Sequence, residues 1–561
     1  MLTASQYLTD SLKRLGVRHV FGVGGANIED LENAIQSTAP MRYVLAKHEF
    51  SAATMADGYA RVGASLGVVI ASSGGGAANL IPALAEAFAS CVPILALVGQ
   101  PPAPLEGQGA FQDGSGRGGS IDMQALFAPV SVFCHRIRYS NEIPHALHDA
   151  LAAAMGEQPG PSVLLLPKDV QGAAVEEHAV SLDASPSVMP PLPALDRITA
   201  AAALLGCART VLIIAGKGVA RHDARRELAE FAAQLNACVA VTPDGRDSFD
   251  NANPHFIGVT GVMGHAAVEE SLARADACVA VGTRLPHLAR AGLEAELAQR
   301  PLVSIHFAPS FAKGAPLVEL IGDMRAGLRA LCAHLGSRPR LPVAQPLSEH
   351  RDTMFISSVR PKTLSLREAL GAVAAALPQD ANIFVDAGNT GASAIHWVPS
   401  PSHGRFVVAL GMGGMGYSFG AAIGAALSNG RRTFVLAGDG AFYMHGLEIH
   451  TAVEHGLPVT FILFNNDAHA MCFTRKCLYY GGNDTHYLFH PSELAAGMGV
   501  MFPSLKVLPA RSAVEIRESL HAAQAGAAVM SIRVDPCEVP PFAPFVQAMT
   551  SRDENCARKA H

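Results

Sequence analysis

Short runs rich in β-branched residues alternate with Ala- and Leu-rich stretches of helical length, and this alternation constrains the fold more than any other feature of the chain. Strands that alternate with helices predict right-handed crossover units, and therefore an α/β fold built on parallel sheets. The predicted strands cover residues 68–71, 94–98, 163–166, 211–215, 277–281, 383–385, 433–437 and 459–464.

Two Pro-rich stretches, 181–195 and 336–362, divide the 561 residues into three segments of similar size. Neither stretch could sustain a helix or a central strand. We therefore expect three parallel-sheet α/β domains over residues 1–180, 195–335 and 362–540, followed by a tail or lid over 541–561. The first and third segments could be variations on one plan.

Composition excludes several classes of protein. With 49% hydrophobic and 16% charged residues, the chain is neither disordered nor fibrous. Its 42 Lys and Arg against 48 Asp and Glu give a net charge of −6, and the absence of a basic block argues against a nucleic-acid partner.

Membrane insertion and secretion are not expected either. No uninterrupted apolar span of about 20 residues exists, and the N-terminus predicts an amphipathic helix with Tyr7, Leu8, Leu12 and Leu15 on one face rather than a signal peptide. The ten Cys are scattered without a Cys-x-x-Cys pair, which favours reduced thiols. A cytoplasmic location is the default expectation.

Polar residues follow two neighbouring predicted strands of the third segment. Gly438, Asp439 and Gly440 follow strand 433–437, and Asn465 and Asn466 end strand 459–464. Alone, Gly-Asp-Gly is more often an ordinary turn. Coupled to Asn-Asn at the carboxyl end of the adjacent strand, it offers the oxygen ligands that hold Mg²⁺ against a diphosphate.

This pattern resembles the signature of thiamine-diphosphate enzymes of the acetolactate synthase, benzoylformate decarboxylase and pyruvate oxidase superfamily. Residues 48–61 look like its segment with the single catalytic Glu, 72–79 like its Ser-Gly-Pro-Gly loop, and 414–424 like the segment that wedges the cofactor. The resemblance covers residues 1 to about 535. It implies pyrimidine-binding, central and diphosphate-binding domains in that order, with thiamine diphosphate and Mg²⁺ as cofactors.

The resemblance also implies a role for particular residues. Glu49 is expected to hydrogen-bond to the pyrimidine ring of the cofactor, and Met415 to support the bent cofactor from below. The metal ligands are expected to be Asp439, Asn466 and the main-chain carbonyl of Ala468. The other expected cofactor-binding residues are Asn79, Asn389, Gly413, Gly440 and Ala441.

Three of these residues have simpler interpretations. Glu49 opens a helix, where an acidic residue commonly complements the helix dipole at the surface. The rest of that helix is mostly Ala, however, which predicts poorly solvated surroundings for its carboxyl. Met415 could be an ordinary core residue, and Asn79 could cap the helix 80–88.

The choice of reaction rests on residues 109–112. They resemble the Ala-Phe-Gln of acetolactate synthases, which implies that Phe111 and Gln112 orient a small acceptor. Simple decarboxylases of the superfamily usually use a pair of active-site histidines, whereas this chain has no adjacent pair, and His48, His469 and His486 are each interpreted as structural or surface residues.

Three departures from the family pattern are visible. Residues 467–473 differ from biosynthetic acetolactate synthases in a region that usually shapes the acceptor pocket. Gly420 replaces a common Pro, which could loosen its loop. Arg284 remains from the Arg-Phe-Asp-Asp-Arg of flavin-binding members but the acidic pair is missing, so FAD is not expected.

We therefore predict decarboxylation of a 2-oxo acid such as pyruvate, with ligation of the acyl unit to a second carbonyl compound. A non-ligating 2-oxo acid decarboxylase of benzoylformate or oxalyl type is the alternative, and a non-catalytic regulatory or nucleotide-binding α/β protein is a remote one. Because family members build each site from two chains, the resemblance implies a homodimer or homotetramer.

Overall fold

A computed structural model describes residues 1–63, 66–176, 191–336, 353–356, 363–481, 485–523 and 525–559. It contains three parallel sheets of six strands each and one antiparallel pair of short strands. Of the predicted linkers, 181–195 and 336–362, the structure describes only residues 191–195, 336 and 353–356.

The first sheet has the strand order β2-β1-β3-β4-β6-β5. The strands are β1 (His19–Val23), β2 (Arg42–Leu45), β3 (Gly67–Ala71), β4 (Ile94–Gln100), β5 (Phe133–Arg136) and β6 (Pro161–Pro167). The helices around it are α1 (Ala4–Arg14), α2 (Glu29–Ser37), α3 (Glu49–Gly63), α4 (Gly75–Asn79), α5 (Ile81–Ala89), α6 (Met123–Phe127), α7 (Ile143–Ala154) and α8 (Lys168–Gly172).

The central sheet has the strand order β12-β11-β10-β7-β8-β9. The strands are β7 (Val211–Ala215), β8 (Cys238–Val241), β9 (Phe256–Val259), β10 (Ala277–Val281), β11 (Leu302–His306) and β12 (Leu317–Ile321). The helices around it are α9 (Leu195–Cys207), α10 (Lys217–Arg221), α11 (Arg225–Leu235), α12 (Ala266–Arg274), α13 (His287–Arg290), α14 (Glu294–Ala298) and α15 (Met324–Leu335).

The third sheet has the strand order β15-β14-β16-β17-β19-β18, and β13 pairs with β20 beside it. The strands are β13 (Met354–Phe355), β14 (Asn382–Val385), β15 (Arg405–Val408), β16 (Thr433–Gly438), β17 (Val459–Asn465), β18 (Lys506–Leu508), β19 (Ala528–Arg533) and β20 (Glu538–Val539). The helices are α16 (Leu366–Ala374), α17 (Gly388–Trp397), α18 (Tyr417–Asn429), α19 (Asp439–His445), α20 (Ile449–Glu454), α21 (Ala470–Tyr480), α22 (Leu494–Met501), α23 (Ala513–Ala522) and α24 (Ala543–Lys559).

These sheets confirm the predicted α/β class, and all eight predicted strands form with ends within two residues of the prediction. When the six strands of each sheet are numbered in chain order, the first and third sheets share the strand order 2-1-3-4-6-5. The two sheets therefore have the same topology, as the sequence suggested. The central sheet has the order 3-2-1-4-5-6, which is that of doubly wound nucleotide-binding folds.

Helices α3 and α18 join the first and third regions at unusually short range. A Cβ built on Gly58 would lie 2.0 Å from the backbone oxygen of Ala421, and one built on Gly424 would lie 1.9 Å from that of Met55. The many Ala and Gly residues of both helices are therefore a requirement of this close packing. Gly420 belongs to the same contact, since a Cβ there would lie 2.2 Å from Thr54 Oγ1, so the prediction of a loosened loop is wrong.

The two ends of the chain are helical. Leu8 and Leu12 of α1 are fully buried, as the amphipathic pattern predicts. At the other end, the segment predicted as a tail or lid forms α24, where Phe545 is 1% exposed and packs in a cluster with Leu478 and Val539. Its role as a lid stays a prediction. Among the described residues, no helix combines the length and apolar character needed to cross a bilayer.

Candidate active site

The carboxyl ends of β16 and β17 bring together Asp439 and Asn466, because these two strands are neighbours in register. Asp439 opens α19, and its Oδ1 and Oδ2 accept hydrogen bonds from the backbone N–H groups of Gly440 (2.9 Å) and Ala468 (3.2 Å). The carboxyl is 1% exposed, and this burial raises its pKa to about 6. Asp439 thus carries a charge that its surroundings only partly compensate.

Asn466 offers a second oxygen atom that could bind a cation. Its Oδ1 is buried and has no hydrogen-bond partner among the described residues. An unsatisfied amide oxygen beside an under-compensated buried carboxylate would be costly without a cation, so the donor set fits a hard divalent ion such as Mg²⁺. The carbonyl of Ala468 stays a predicted ligand.

Gly440, beside this pair, permits the close approach of two side chains. A Cβ there would lie 2.7 Å from the His469 ring and 3.2 Å from the Met415 methyl group. Half-buried Met415 therefore faces the Gly-Asp-Gly turn, which fits its predicted role as a support better than that of a core residue. Ala441, in the same first turn of α19, is buried, whereas Gly413 lies in the exposed loop before Met415.

Asp386, which the sequence reasoning missed, fixes the loop that carries Met415. It follows β14, and its carboxylate accepts hydrogen bonds from the backbone N–H of Gly416 (3.0 Å) and from the N–H and hydroxyl of Ser418 (3.1 and 2.7 Å). Burial raises its pKa, although these hydrogen bonds oppose the shift. Its position after a strand is the same signal that identified Asp439.

Asn389 lies in the first turn of α17, near the same edge of the sheet. Its Nδ2 donates to Thr474 Oγ1 at 3.2 Å, while its Oδ1 is buried without a partner among the described residues. Asn389 thus retains an acceptor for a ligand, and its place at the cofactor stays a prediction.

A second cluster forms at the carboxyl ends of β2 and β3. Glu49 opens α3, and its Oε2 accepts a hydrogen bond from Asn79 Nδ2 at 2.9 Å. A Cβ on Gly76 would lie 2.9 Å from the other carboxylate oxygen. Asn79 does not cap α5, which has no side-chain cap, so the capping alternative is wrong. The Glu49 carboxyl is half-buried in the single chain rather than poorly solvated throughout.

Gln112 joins this second cluster through the loop after β3. Ser73 Oγ donates to Gln112 Oε1 at 3.0 Å and accepts from Asn27 Nδ2 at 2.6 Å. Asn27 was not identified from the sequence. Phe111 points away from these groups and is 81% exposed. The structure therefore places Gln112, but not Phe111, beside the loop that faces Glu49.

Aromatic rings join the start of α3 to the end of α19 within one chain. The rings of His48 and His445 lie 5.3 Å apart, and Phe50 stacks on His445 at 4.2 Å. Burial, aided by His48, lowers the pKa of His445 to about 4, so this ring is neutral near pH 7. Adjacency in sequence could not reveal this pair, because the two histidines come from different sheets.

Within one chain, the hydrogen bond to the Glu49 carboxyl comes from Asn79 of the first region. The hydrogen bonds to the Asp439 carboxyl come from Gly440 and Ala468 of the third region. Beside Asp439 lies an open cavity of about 540 Å³. Its lining residues are Gly440, Tyr443, Met444, His469, Leu488, Phe489 and His490. The cavity is large enough for a small organic substrate.

Three family models match the chain in order. They are the thiamine pyrophosphate enzyme N-terminal TPP binding domain over residues 2–117, the central domain over 198–331 and the C-terminal TPP binding domain over 386–534. The N-terminal match includes Glu49, Asn79 and Gln112, and the C-terminal match includes Asp439 and Asn466.

Similar full-length proteins include an acetolactate synthase of Arthrospira platensis, 30% identical over 83% of this chain and 82% of that protein. A probable acetolactate synthase large subunit of Methanocaldococcus jannaschii is 28% identical over 97% of this chain and 94% of that protein. Benzoylformate decarboxylase of Polynucleobacter necessarius has the same fold, with a TM-score of 0.81 and 21% identity over 96% of this chain and 100% of that one.

Proposed function

Because this chain belongs to the thiamine pyrophosphate enzyme family, we propose that it decarboxylates a 2-oxo acid such as pyruvate and ligates the acyl unit to a second carbonyl compound. The family assignment makes it an enzyme that uses thiamine diphosphate with Mg²⁺. Membership of this family excludes the remote alternative of a non-catalytic regulatory or nucleotide-binding protein. Two features of this function are our proposal: the acceptor is a second carbonyl compound, and ligation is preferred over aldehyde release.

When bound, the cofactor supplies the electron sink that loss of CO₂ from a 2-oxo acid requires. The chain supplies the rest. Asp439, Asn466 and the carbonyl of Ala468 would hold Mg²⁺, and Gly440, which has no side chain, would let the diphosphate approach the backbone. Met415, fixed through Asp386, would support the cofactor between its two ends.

Glu49 would exchange a proton with the pyrimidine ring. The hydrogen bond from Asn79 holds its carboxylate in one orientation, which is what a proton-transfer group needs. Gln112 would orient the acceptor carbonyl, because its Oε1 is anchored by the Ser73 hydroxyl while its Nε2 keeps two N–H donors for a substrate oxygen. This anchored Gln112 next to the Glu49 cluster is the observation that carries the ligation proposal.

The test incubates the holoenzyme with pyruvate and separates acetolactate and acetoin from acetaldehyde. We expect ligation products to dominate. Replacing Gln112 by Ala should shift the products toward acetaldehyde, whereas Gln108→Ala, in the exposed part of the same loop, should leave the ratio unchanged. Acetaldehyde as the sole product of the unmodified enzyme would overturn the proposal.

The spatial pair His48 and His445 favours one alternative, a non-ligating decarboxylase. Such an enzyme needs a proton donor to release the aldehyde, and two histidines near Glu49 are candidates. The low pKa of His445 argues against it, since a ring that is neutral at pH 7 is a poor acid. If this alternative held, His445→Gln would lower aldehyde release without affecting any ligation.

We also propose that each active site combines Glu49 of one chain with Asp439 of a second chain in a homodimer or homotetramer. Apolar side chains near the two clusters are exposed in the single chain, among them Met412 (63%), Met444 (50%) and Leu447 (56%). Such a patch is typical of an interface between subunits.

Co-expression of two inactive variants, Glu49→Gln and Asp439→Asn, tests this arrangement. A mixed dimer would contain one intact site and one doubly altered site, so a random mixture should recover about a quarter of the normal activity. Sites built within one chain would give no recovery. Sedimentation equilibrium would determine whether dimers or tetramers form.

A further inference from the structure

A cavity of about 550 Å³ lies where the three domains meet. The first region contributes the end of α3 and the turn before β4, the central region contributes α10 and the start of α11, and the third contributes β15 and the end of α18. We call it the interdomain cavity. Because it adjoins the amino ends of β4 and β15, it is separate from the candidate active site, which lies at carboxyl ends.

Cationic side chains dominate the wall of the interdomain cavity. Six are always charged near neutral pH, against three carboxylates. The cations are Arg61, Lys217, Arg221, Arg225, Arg405 and Arg431, and the carboxylates are Asp223, Asp244 and Asp247.

Ion pairs account for only part of this charge. Buried Asp247 lies 2.6 Å from Arg405 Nε and 3.1 Å from Arg225 Nη2, and Asp244 lies 3.3 Å from Lys217 Nζ. Arg61 is neutralised by Asp57 outside the cavity. Exposed Asp223 forms no ion pair among the described residues.

Two guanidinium groups keep unused donors as a result. Arg221 has the Cys91 thiol as a hydrogen-bond partner and no carboxylate among the described residues, and burial lowers its pKa. Arg225 Nη2 is buried and, despite its nearness to Asp247, makes no hydrogen bond among the described residues. Arg221 is a half-buried cation without a carboxylate counter-ion, and Arg225 shares the single carboxylate of Asp247 with Arg405. Such incomplete compensation is unfavourable, so the wall favours occupation by an anion.

At the rim, exposed Arg431 donates to the carbonyl oxygen of His403 at 2.5 Å and has no carboxylate partner among the described residues. Its remaining donors are therefore free to meet a ligand at the mouth of the cavity. Arg221, Arg225 and Arg431 come from the central and third regions, so one ligand could contact both.

We propose that the interdomain cavity binds a small phosphate-bearing anion, held by Arg221, Arg225 and Arg431. The planar fork of a guanidinium matches two phosphate oxygens at once, which favours a phosphate group over an uncharged ligand. The volume suits a small metabolite. Arg284, the residue of the flavin-type pattern, does not line this cavity, so the site is distinct from the one considered for FAD. Binding would tie the domains together and raise their stability.

The experiment uses holoenzyme saturated with thiamine diphosphate and Mg²⁺, so that the diphosphate site is filled. Inorganic phosphate and 3-phosphoglycerate are titrated by calorimetry at constant ionic strength, with citrate as a carboxylate-only probe. We expect saturable binding of the phosphate probes, at least tenfold weaker binding of citrate, and a higher melting temperature with phosphate.

Variants locate the site. Arg221→Gln and Arg431→Gln should each weaken 3-phosphoglycerate binding at least tenfold, while Arg221→Lys should retain part of it. Arg431 is exposed, so its variant is expected to fold normally. The matched control is Arg226→Gln, on the exposed side of α11, which should bind as the unmodified enzyme does. Absent or unsaturable binding, equal binding of citrate, or an equal loss in the control would overturn the proposal.

Discussion

The first and third sheets share one strand order, yet the carboxyl groups at their active edges lie in opposite environments. Glu49, after the second strand of its sheet, is half-buried and receives a hydrogen bond from Asn79. Asp439, after the third strand of its sheet, is 1% exposed, and burial raises its pKa to about 6. One group is arranged to exchange a proton, whereas the other is arranged to attract a cation.

The loops after equivalent strands have thus taken on different tasks. The loop after the second strand leads into α3 with Glu49 in the first sheet, and into α18 with Met415 just before it in the third. These two equivalent helices then pack against each other through Gly58 and Gly424. The comparison teaches that topology fixes where a loop lies, and that side chains decide what it does.

The largest expected effect concerns Glu49, the residue that we propose exchanges a proton with the cofactor. Glu49→Gln should lower kcat by about 100-fold or more, the range of acid-base groups, because an amide cannot exchange the proton. The dissociation constant of the cofactor should change little, since the residues that would hold Mg²⁺ and the diphosphate are unaltered. Steady-state kinetics and calorimetry measure both quantities. Exposed Glu157→Gln, in the loop between α7 and β6 of the same region, is the control, and near-normal turnover of Glu49→Gln would remove this residue from the mechanism.

Asp439→Asn tests the proposed metal site. In contrast to Glu49→Gln, it should act mainly on cofactor binding. Loss of the anionic ligand should weaken thiamine diphosphate binding in the presence of Mg²⁺ by about 100-fold. The apoprotein should be at least as stable as the unmodified one, because a poorly compensated buried charge is gone. Calorimetric titration and thermal melting measure the two effects, with exposed Asp380→Asn as the control. Unchanged cofactor affinity would contradict the assignment.

Sequence reasoning identified residues that follow strands, since strand ends and polar motifs are both local features. Asp439 and Asn466 were found in this way, and Glu49 was found through the resemblance of residues 48–61 to the family's segment. Sequence reasoning could not find the pairing of His48 with His445 or the contact of Gly420 with Thr54, because these depend on how two sheets dock. Asn27 was missed for a related reason, since its role arises from a hydrogen bond to Ser73 in a loop distant in sequence. Asp386 follows β14 and carried the same local signal as Asp439, but its role arises only from hydrogen bonds to the loop at Gly416.

Gly58→Ala tests whether the two equivalent helices must touch. The added methyl group would meet the Ala421 carbonyl at 2.0 Å, which forces the helices apart. We expect a loss of roughly 1–3 kcal/mol in the free energy of unfolding, typical of overpacking. Gly371→Ala is the matched control. It lies within α16 with open space around it, so it should be neutral or stabilising by up to about 1 kcal/mol. Equal effects in chemical denaturation would disprove the close contact.

The smallest expected effect concerns pH, and here the first and third regions should respond with opposite sign. In the first region, burial lowers the pKa of His19 in β1 from 6.5 to about 4, so the folded state prefers the neutral ring and loses stability as the pH falls from 6.5 to 4. In the third region, burial raises the pKa of Glu538 in β20, beside the six-stranded sheet, from 4.5 to about 7, so stability is full below pH 4.5 and is lost as the pH rises to 7.

Two substitutions separate these contributions, each on the order of 1 kcal/mol. His19→Phe keeps a ring against Phe21 and Tyr59 and should reduce the loss of melting temperature between pH 6.5 and 4. Glu538→Gln can still accept the hydrogen bond from the backbone N–H of Arg367, and it should reduce the loss between pH 4.5 and 7. Each variant is the control for the other. Slopes that change in the same direction in both variants would show that the first and third regions do not differ in this respect.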